Sequence, residues 1–450
     1  MRILRNRNAQ LANVALGPLL LSTLAVGLVG GMQVGSATAS ARYQETEQQR
    51  TIWFGAAVDL VLIDLTATDS GGTFVQGLTK EDFRLFEEGE EMEISFFALE
   101  KFASSESKSG DPLVNEMPSL SRYIVLFIDG MNTLPQDWQR VRPLLQKWVE
   151  EDLQSNDYVL LASLHPDGRV RMTREFTRDR ETLVSVLAQV EGNSFLALRT
   201  LRQQEDLGDV LGLEATIPNS GGASADALRQ GAELARTFAN ERRREVRGAL
   251  RSLSGLADHL NLTFQVPGPN VVIMVSGGLP EIPGLNFALM VEEQLDETSL
   301  VVRQRAGIPT YQPTVPAGID DADRRDLLNA IGRFNSSNYL FYTIDARGVG
   351  GPRNSSLSPN AEAFAASNER SGLISIADGT GGLAFFNSNN FGLALTRVQE
   401  DTAYRYVLGY VAPLHDAEDI EDGKVYEVEV EVRVPGVEIR ARKGYVDRGG

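Results

Sequence analysis

From Arg122 onward, short apolar runs alternate with segments of helical spacing, and this alternation limits the possible folds more than any other feature. The run RYIVLFID is apolar at odd and even positions alike, as in a strand that is covered on both faces. The segment QDWQRVRPLLQKWVEED instead places apolar residues every three or four positions, despite its proline. Strands that alternate with helices form a parallel sheet with right-handed crossovers and helices on both faces. The sequence therefore predicts an α/β domain, which we place at residues 121–402.

Both flanks of this domain have the composition of β-strands. The stretch AVDLVLIDLTAT, within residues 56–103, is rich in β-branched and aliphatic residues, and KVYEVEVEVRV, within residues 403–447, alternates apolar and polar positions. Residues 104–120 have a composition typical of linkers. We expect the two β segments to pair in one β-sandwich with the α/β domain inserted between them. Two separate β modules are the alternative.

Residues 1–41 differ from the rest of the chain. They begin with Arg2, Arg5 and Arg7, continue with a long apolar stretch and end in the small residues Ala-Ser-Ala. This pattern is typical of a secretory signal peptide, so we expect an exported protein of the periplasm or the extracellular space. Because the apolar stretch is long for a signal peptide, an uncleaved membrane anchor is the alternative. We expect no membrane insertion beyond this segment.

Charge and cysteine content exclude several kinds of activity. The chain carries a formal charge of −18, so it should repel nucleic acid, and we expect no nucleic-acid partner. It contains no cysteine, which rules out disulfides, thiolate metal ligands and cysteine nucleophiles. We interpret the acidic stretch FEEGEE, residues 86–91, as a solvated hairpin. The basic run ERRREVR, residues 241–247, is interpreted as a solvated helix face, with docking of an acidic partner or of a second copy as the alternative.

The sequence carries no recognisable catalytic motif. Its three histidines, His165, His259 and His415, fall in different predicted elements and lack the spacing of metal ligands. Ser276 lies in VSGG, but Met274 stands where the nucleophile elbow Gly-x-Ser-x-Gly requires a glycine. These observations favour a binding protein over an enzyme.

Three stretches, YIVLFIDGMNT, VVIMVSGG and GLISIADGTGGLAFF, resemble a von Willebrand factor type A domain. The flanking stretches GLTKEDFRLFEEG, ISFFALE and YRYVLGYVAP are similar to the VWFA-related family that is abundant in Acidobacteria. The resemblance covers about residues 56–447. It implies a doubly wound, Rossmann-like sheet with a divalent cation at the carboxyl ends of the strands, where open α/β sheets bind their ligands.

The resemblance also implies that this cation site is degenerate. In the family pattern the first strand ends in Asp-x-Ser-x-Ser and the fourth strand ends in an Asp. Asp129 matches the first carboxylate and Thr133 the second hydroxyl, whereas Met131 replaces the first Ser and Ser276 replaces the fourth-strand Asp. One carboxylate with hydroxyls would hold Mg²⁺ or Ca²⁺ only weakly.

Two interpretations of this region stay open. In the first, Asn132 offers its carbonyl oxygen and Asp345 supplies a second carboxylate, so that they complete a weak Mg²⁺ or Ca²⁺ site with Asp129, Thr133 and Ser276. In the second, no cation binds. Asp129 and Thr133 then cap the helix that follows, and Asp345 pairs with the arginine two residues further on.

The sequence as a whole predicts an exported, non-enzymatic binding or adhesion protein. Its type A-like domain would engage a protein or cell-surface partner through the cation, or through the loops DGMNTLPQDW, SGGLPEIPG and DARGVGGPR. Two alternatives come from other functional classes. One is a cell-envelope hydrolase or accessory subunit that uses the same crevice, and the other is a scaffold that self-associates.

Overall fold

The protein is described by a computed structural model that covers most of the chain. The described residues are 60–102, 119–165, 168–190, 195–212, 225–264, 270–297, 321–349, 357, 359–413, 415 and 424–446. They all belong to one compact unit, Ala56–Gly450. The predicted signal peptide, residues 1–41, lies outside the described residues, as do residues 104–118 of the predicted linker.

The described residues form strands and helices in the following chain order. The strands are β1 (Leu60–Thr68), β2 (Phe83–Glu87), β3 (Glu90–Met92), β4 (Ile94–Lys101), β5 (Arg122–Asp129), β6 (Asp157–Leu164), β7 (Val170–Met172), β8 (Asn270–Ser276), β9 (Tyr339–Asp345), β10 (Ala384–Phe385), β11 (Tyr404–Val411), β12 (Val425–Val432), β13 (Glu438–Ala441) and β14 (Gly444–Val446). The helices are α1 (Pro135–Lys147), α2 (Arg180–Gln189), α3 (Phe195–Leu211), α4 (Ala225–Phe264), α5 (Leu285–Glu297), α6 (Asp321–Ser336), α7 (Pro359–Thr380) and α8 (Phe391–Asp401).

A six-stranded, mostly parallel sheet forms the centre of the α/β region. Its strand order is β10-β9-β8-β5-β6-β7, and only β7 runs antiparallel to its neighbour. Helices cover both faces because successive strand residues point to opposite sides. In β5, Val125 and Phe127 pack against α4, α6 and α7, whereas Ile124, Leu126 and Ile128 pack against α1, α2 and α8. The predicted mixed α/β architecture with a mostly parallel sheet is therefore confirmed.

Strands from the two ends of the chain form two further sheets, both antiparallel. Their orders are β13-β1-β11-β4 and β14-β12-β2-β3. In the first, β1 pairs with β11, and in the second, β2 pairs with β12. Inward-facing residues of both sheets, such as Leu65, Leu85, Tyr406 and Tyr426, share one hydrophobic core. The N-terminal and C-terminal β segments thus pair with each other.

Glu87 shows that the interpretation of FEEGEE as a solvated hairpin was wrong for one residue. Its side chain is 1% exposed and lies in the core between the two antiparallel sheets. The hydroxyls of Tyr410 and Tyr445 donate to its carboxylate, and His415 Nε2 lies 2.8 Å from its Oε1. Period-two alternation turns Glu87 inward with Phe83 and Leu85, and residues from the other end of the chain satisfy its charge.

Two helical segments differ from the sequence-based expectation. Part of the polar segment 192–222 forms α3, which packs its Leu207 and Leu211 against α4 and α5. The one or two helices expected at 224–260 are the single 40-residue helix α4. No helix among the described residues combines the length and apolarity needed to cross a membrane.

Candidate functional site

A cavity of ≈ 450 Å³ lies at the carboxyl ends of β5, β8 and β9. Its floor is the loop after β5 and the glycine after β8, and its walls come from α3, α4, α7 and the loop after β9. This volume is typical of sites that bind small ligands or short peptide segments. The edge of the sheet where the cavity lies is the one at which parallel sheets bind ligands, because loops from several strands converge there.

Asp129 lies at the end of β5 and accepts four hydrogen bonds from the protein. The backbone amides of Met131 and Asn132 donate to Oδ1, each at 3.1 Å. The side-chain amide of Asn132 and the hydroxyl of Ser276 donate to Oδ2, at 2.8 and 2.7 Å. The side chain is 1% exposed. Asp129, Asn132 and Ser276 thus lie together, and both oxygens of the carboxylate accept hydrogen bonds that hold the loop after β5.

Thr133 joins this loop to the end of β8. Its hydroxyl accepts a hydrogen bond from the backbone amide of Gly277 at 3.1 Å. A Cβ at Gly277 would lie 2.2 Å from the carbonyl oxygen of Asn132, so only glycine allows this approach. The alternative that Asp129 and Thr133 cap the next helix was wrong, because the N-cap of α1 is Leu134, which is followed by a proline at the first helical position.

Asp345, at the end of β9, binds two arginines. Arg347 contacts it through Nε and Nη2 at 2.8 and 2.9 Å, and Arg370 of α7 contacts it through Nε at 3.1 Å. Burial alone would raise the pKa of Asp345, but the hydrogen bonds and charges of Arg347 and Arg370 outweigh it and hold that pKa below its ordinary value. The carboxylate therefore carries its negative charge at neutral pH, balanced by protein cations.

Arg242 is a site residue that sequence reasoning missed. It belongs to the basic run 241–247, yet it is 6% exposed and points into the cavity region. Its Nη1 donates to Asn132 Oδ1 at 2.8 Å, and its Nη2 lies 3.5 Å from Glu369. The interpretation of the run as a solvated helix face was thus wrong for Arg242. Arg243 and Arg247 of the same run also form internal ion pairs, both with one aspartate of α6.

These residues do not fit a divalent cation as they are arranged. Mg²⁺ and Ca²⁺ need several free oxygen ligands. Here Asp129 is saturated by four donors, the oxygen of Asn132 faces Arg242, and Asp345 is neutralised by Arg347. Within the described ranges, no group of three acidic or histidine side chains is placed to hold a metal. A cation would have to displace these contacts, and the guanidinium groups of this region already supply positive charge.

We therefore expect divalent cations to leave the stability of the purified protein unchanged. At about 5 mM Mg²⁺ or Ca²⁺, the unfolding temperature should match that in EDTA. A cation whose dissociation constant lies far above this concentration adds little to the free energy of unfolding. Differential scanning calorimetry in the two buffers measures this. A rise of several degrees with Mg²⁺ that is absent in Asp129→Asn would establish the weak cation site that the sequence suggested. Asp378→Asn, at an exposed site on α7, is the control for a nonspecific charge effect.

The histidines lie away from this site. None of them lines the cavity. His259 contacts Thr263 within α4, and His415 contacts Glu87 between the antiparallel sheets. Arginines, acids and amides therefore line the cavity. Among its described lining residues there is no histidine to act as a general base.

Comparisons with known proteins give no family assignment. The sequence matches no family model and no curated protein. Among solved structures, the chain is similar to an aerotolerance-related membrane protein from Bacteroides fragilis, with 12% identity, 62% of this chain and 98% of that chain covered, and a TM-score of 0.29. It is also similar to BatB from Bacteroides thetaiotaomicron (12%, 62% and 97%, TM-score 0.25) and to the pilus adhesin SpaC from Lactobacillus rhamnosus GG (9%, 88% and 49%, TM-score 0.31). TM-scores this low support no inference about function.

Proposed function

We propose that this chain is an exported, non-enzymatic binding protein whose type A-like α/β domain takes a segment of a protein or cell-surface partner into the strand-end cavity. The single observation that carries the proposal is the cavity itself, which lies at the ligand-binding edge of a parallel sheet. In this proposal the two antiparallel sheets form a β-sandwich frame, and the doubly wound sheet presents the loops. Binding does not depend on a divalent cation.

The lining of the cavity supports binding rather than catalysis. Apolar and small side chains make up much of the wall: Leu134, Ala197, Leu201, Leu357, Ala363 and Ala366. The polar side chains are arginines, glutamates, amides and Thr200, which can recognise and orient a ligand. A wall of this kind can exclude water around an apolar group while the polar groups fix its orientation.

Blocking the cavity should abolish partner binding without unfolding the protein. Ala363 lies on α7, lines the cavity and is exposed, so Ala363→Trp would fill the space without crowding the core. A random peptide library displayed on phage would be selected on the full protein. We expect the enriched peptides to bind at least about tenfold more weakly to Ala363→Trp, because an indole occupies the volume that the ligand needs.

The matched control is Ser367→Trp, which is exposed on the same helix and does not line the cavity. It should bind the peptides as the unmodified protein does. Circular dichroism and thermal unfolding would show that both variants fold. Peptides that bind all three proteins equally, or a library with no enriched sequence, would contradict the proposal.

A further inference from the structure

Two arginines share one carboxylate at the β9 side of the cavity. Asp345 is one carboxylate, but two guanidinium groups, Arg347 and Arg370, bind it. The side chains of Arg347 and Arg370 are 11% and 20% exposed, and both line the cavity. Asp345 by itself therefore balances only one of these two positive charges.

Two further acids near this end of the cavity, Glu369 and Asp137, act on Arg347. Burial would lower the pKa of Arg347, but the hydrogen bonds and charge of Asp345 and the charges of these two acids raise it. Glu369, which also lines the cavity, is 3.5 Å from Arg242. Asp137 of α1 is 3.2 Å from Arg140, whose guanidinium also donates to the carbonyl oxygens of the loop after β9. Glu362 lines the cavity as well, but it lies eight residues before Arg370 on α7, a rise of roughly 12 Å. Among the residues that the structure describes, Asp345 is thus the one carboxylate that pairs with Arg370.

Arg370 has hydrogen-bonding capacity to spare. It reaches Asp345 through Nε, and its two terminal nitrogens make no hydrogen bond to the residues that the structure describes. Ala366 lies one turn before Arg370 on α7 and lines the cavity, as do Ala197 and Leu201 of α3. A ligand group bound by Arg370 would therefore have an apolar surface beside it. A guanidinium with free terminal donors matches the two oxygens of a carboxylate.

We propose that the cavity recognises a carboxylate with an adjacent apolar group, that Arg370 binds this carboxylate directly, and that no metal ion takes part. This inference rests on the proposed function, since it names the chemistry of the segment that the cavity accepts. Arg347 is a positioning residue, because it holds Asp345 and thereby fixes Arg370. A single guanidinium with free terminal donors suits a monoanion. A phosphate monoester carries close to two negative charges at neutral pH and would meet Glu369 and Glu362 as well.

Short peptides of defined charge test this inference by calorimetry in EDTA. The first pair is acetyl-Leu-Glu-Leu amide and acetyl-Leu-Gln-Leu amide, which differ in a side-chain carboxylate. The second pair is acetyl-Leu-Leu-Leu with a free terminal carboxylate and the same peptide as an amide. We expect the acid of at least one pair to bind about tenfold or more tightly than its amide, and the pair that shows this identifies the source of the carboxylate. A phosphoserine peptide should bind more weakly than the matching Glu peptide.

Variants of Arg370 test whether this residue causes the preference for the acid peptide over its amide. In Arg370→Gln the preference for acid over amide should fall to about twofold or less, while Arg370→Lys should retain part of it because it keeps the charge. Arg236→Gln, an exposed arginine on α4 outside the cavity, changes the net charge equally and should leave the preference intact. Thermal unfolding would verify that each variant is folded.

The outcomes separate this inference from the proposed function. Equal binding of acids and amides, or a preference that survives in Arg370→Gln, would overturn the carboxylate anchor. The proposed function would stand in that case, provided that Ala363→Trp still abolishes binding of the selected peptides. If no library peptide depends on the cavity and none of the short peptides binds, both proposals fail.

Discussion

Replacing Arg122 by methionine is expected to lower the free energy of unfolding by about 3–5 kcal/mol, because it leaves a buried carboxylate without its partner. Arg122 begins β5 and binds both oxygens of Asp157 at the start of β6, each at 2.8 Å. Both side chains are almost completely buried. The Nη1 atom of Arg122 also donates to the hydroxyl of Thr402, just before β11, at 2.7 Å. One guanidinium therefore joins the parallel sheet to the connection that leads into the antiparallel sheets.

Chemical denaturation of the purified variant measures this loss. Arg84→Met is the matched control, because Arg84 also forms ion pairs, with Glu91 and Glu431, but in a solvent-accessible position where water screens them. Its unfolding curve should overlap that of the unmodified protein. The double variant Arg122→Met/Asp157→Leu should recover part of the stability lost in the single variant, since no buried charge remains unpaired. If Arg122→Met unfolds like Arg84→Met, the buried pair does not stabilise the fold.

Glu87→Ala is the second large expected effect, with a loss of about 3 kcal/mol. Its carboxylate accepts hydrogen bonds from Tyr410 and Tyr445 and contacts His415 in a core that is otherwise apolar. Removing it takes away the shared acceptor of these buried groups, and each hydrogen bond to a charged group contributes about 1.5–3 kcal/mol. The buried tyrosine hydroxyls would then lack this acceptor, and they would face a void that the alanine side chain does not fill.

The control for Glu87 is Glu90→Ala, three residues further along the same β2–β3 hairpin and exposed. Its stability should equal that of the unmodified protein. Tyrosine fluorescence and near-ultraviolet circular dichroism would report whether the aromatic side chains around Glu87 lose their fixed packing. If Glu87→Ala and Glu90→Ala behave alike, the buried carboxylate is not the centre of this core.

The local part of the candidate site could be predicted from the sequence. Asp129, Asn132 and Thr133 follow directly on an apolar strand, and Ser276 ends another, so a parallel sheet places all four at one edge. The partner of Asp345 could also be foreseen, because Arg347 is only two residues away. Residue type alone does not determine the ligand. A carboxylate at a strand end can bind an ion or accept hydrogen bonds from its own loop, and the sequence does not show which donors reach it.

The distant part of the site could not be predicted. Arg242 reaches Asn132 across 110 residues, and Arg370 reaches Asp345 from the middle of α7. Their position depends on how α4 and α7 lie on the sheet, which follows from packing of whole helix faces and not from local pattern. The run ERRREVR was a usable signal, but three arginines in a row necessarily point in different directions on a helix. Only the packing shows that Arg242 is the one turned inward.

By itself, the sequence determined most of the strands and helices, α3 excepted, and which of their faces are apolar. These features follow from periods of two and 3.6 residues that each segment carries within itself. The tertiary structure decided where the charges go. It buried Glu87 among residues from the opposite end of the chain, surrounded Asp129 with hydrogen-bond donors, and gave Asp345 a second arginine. The reason is physical: a buried charge must be satisfied by whichever groups packing brings next to it, and those groups are distant in the sequence.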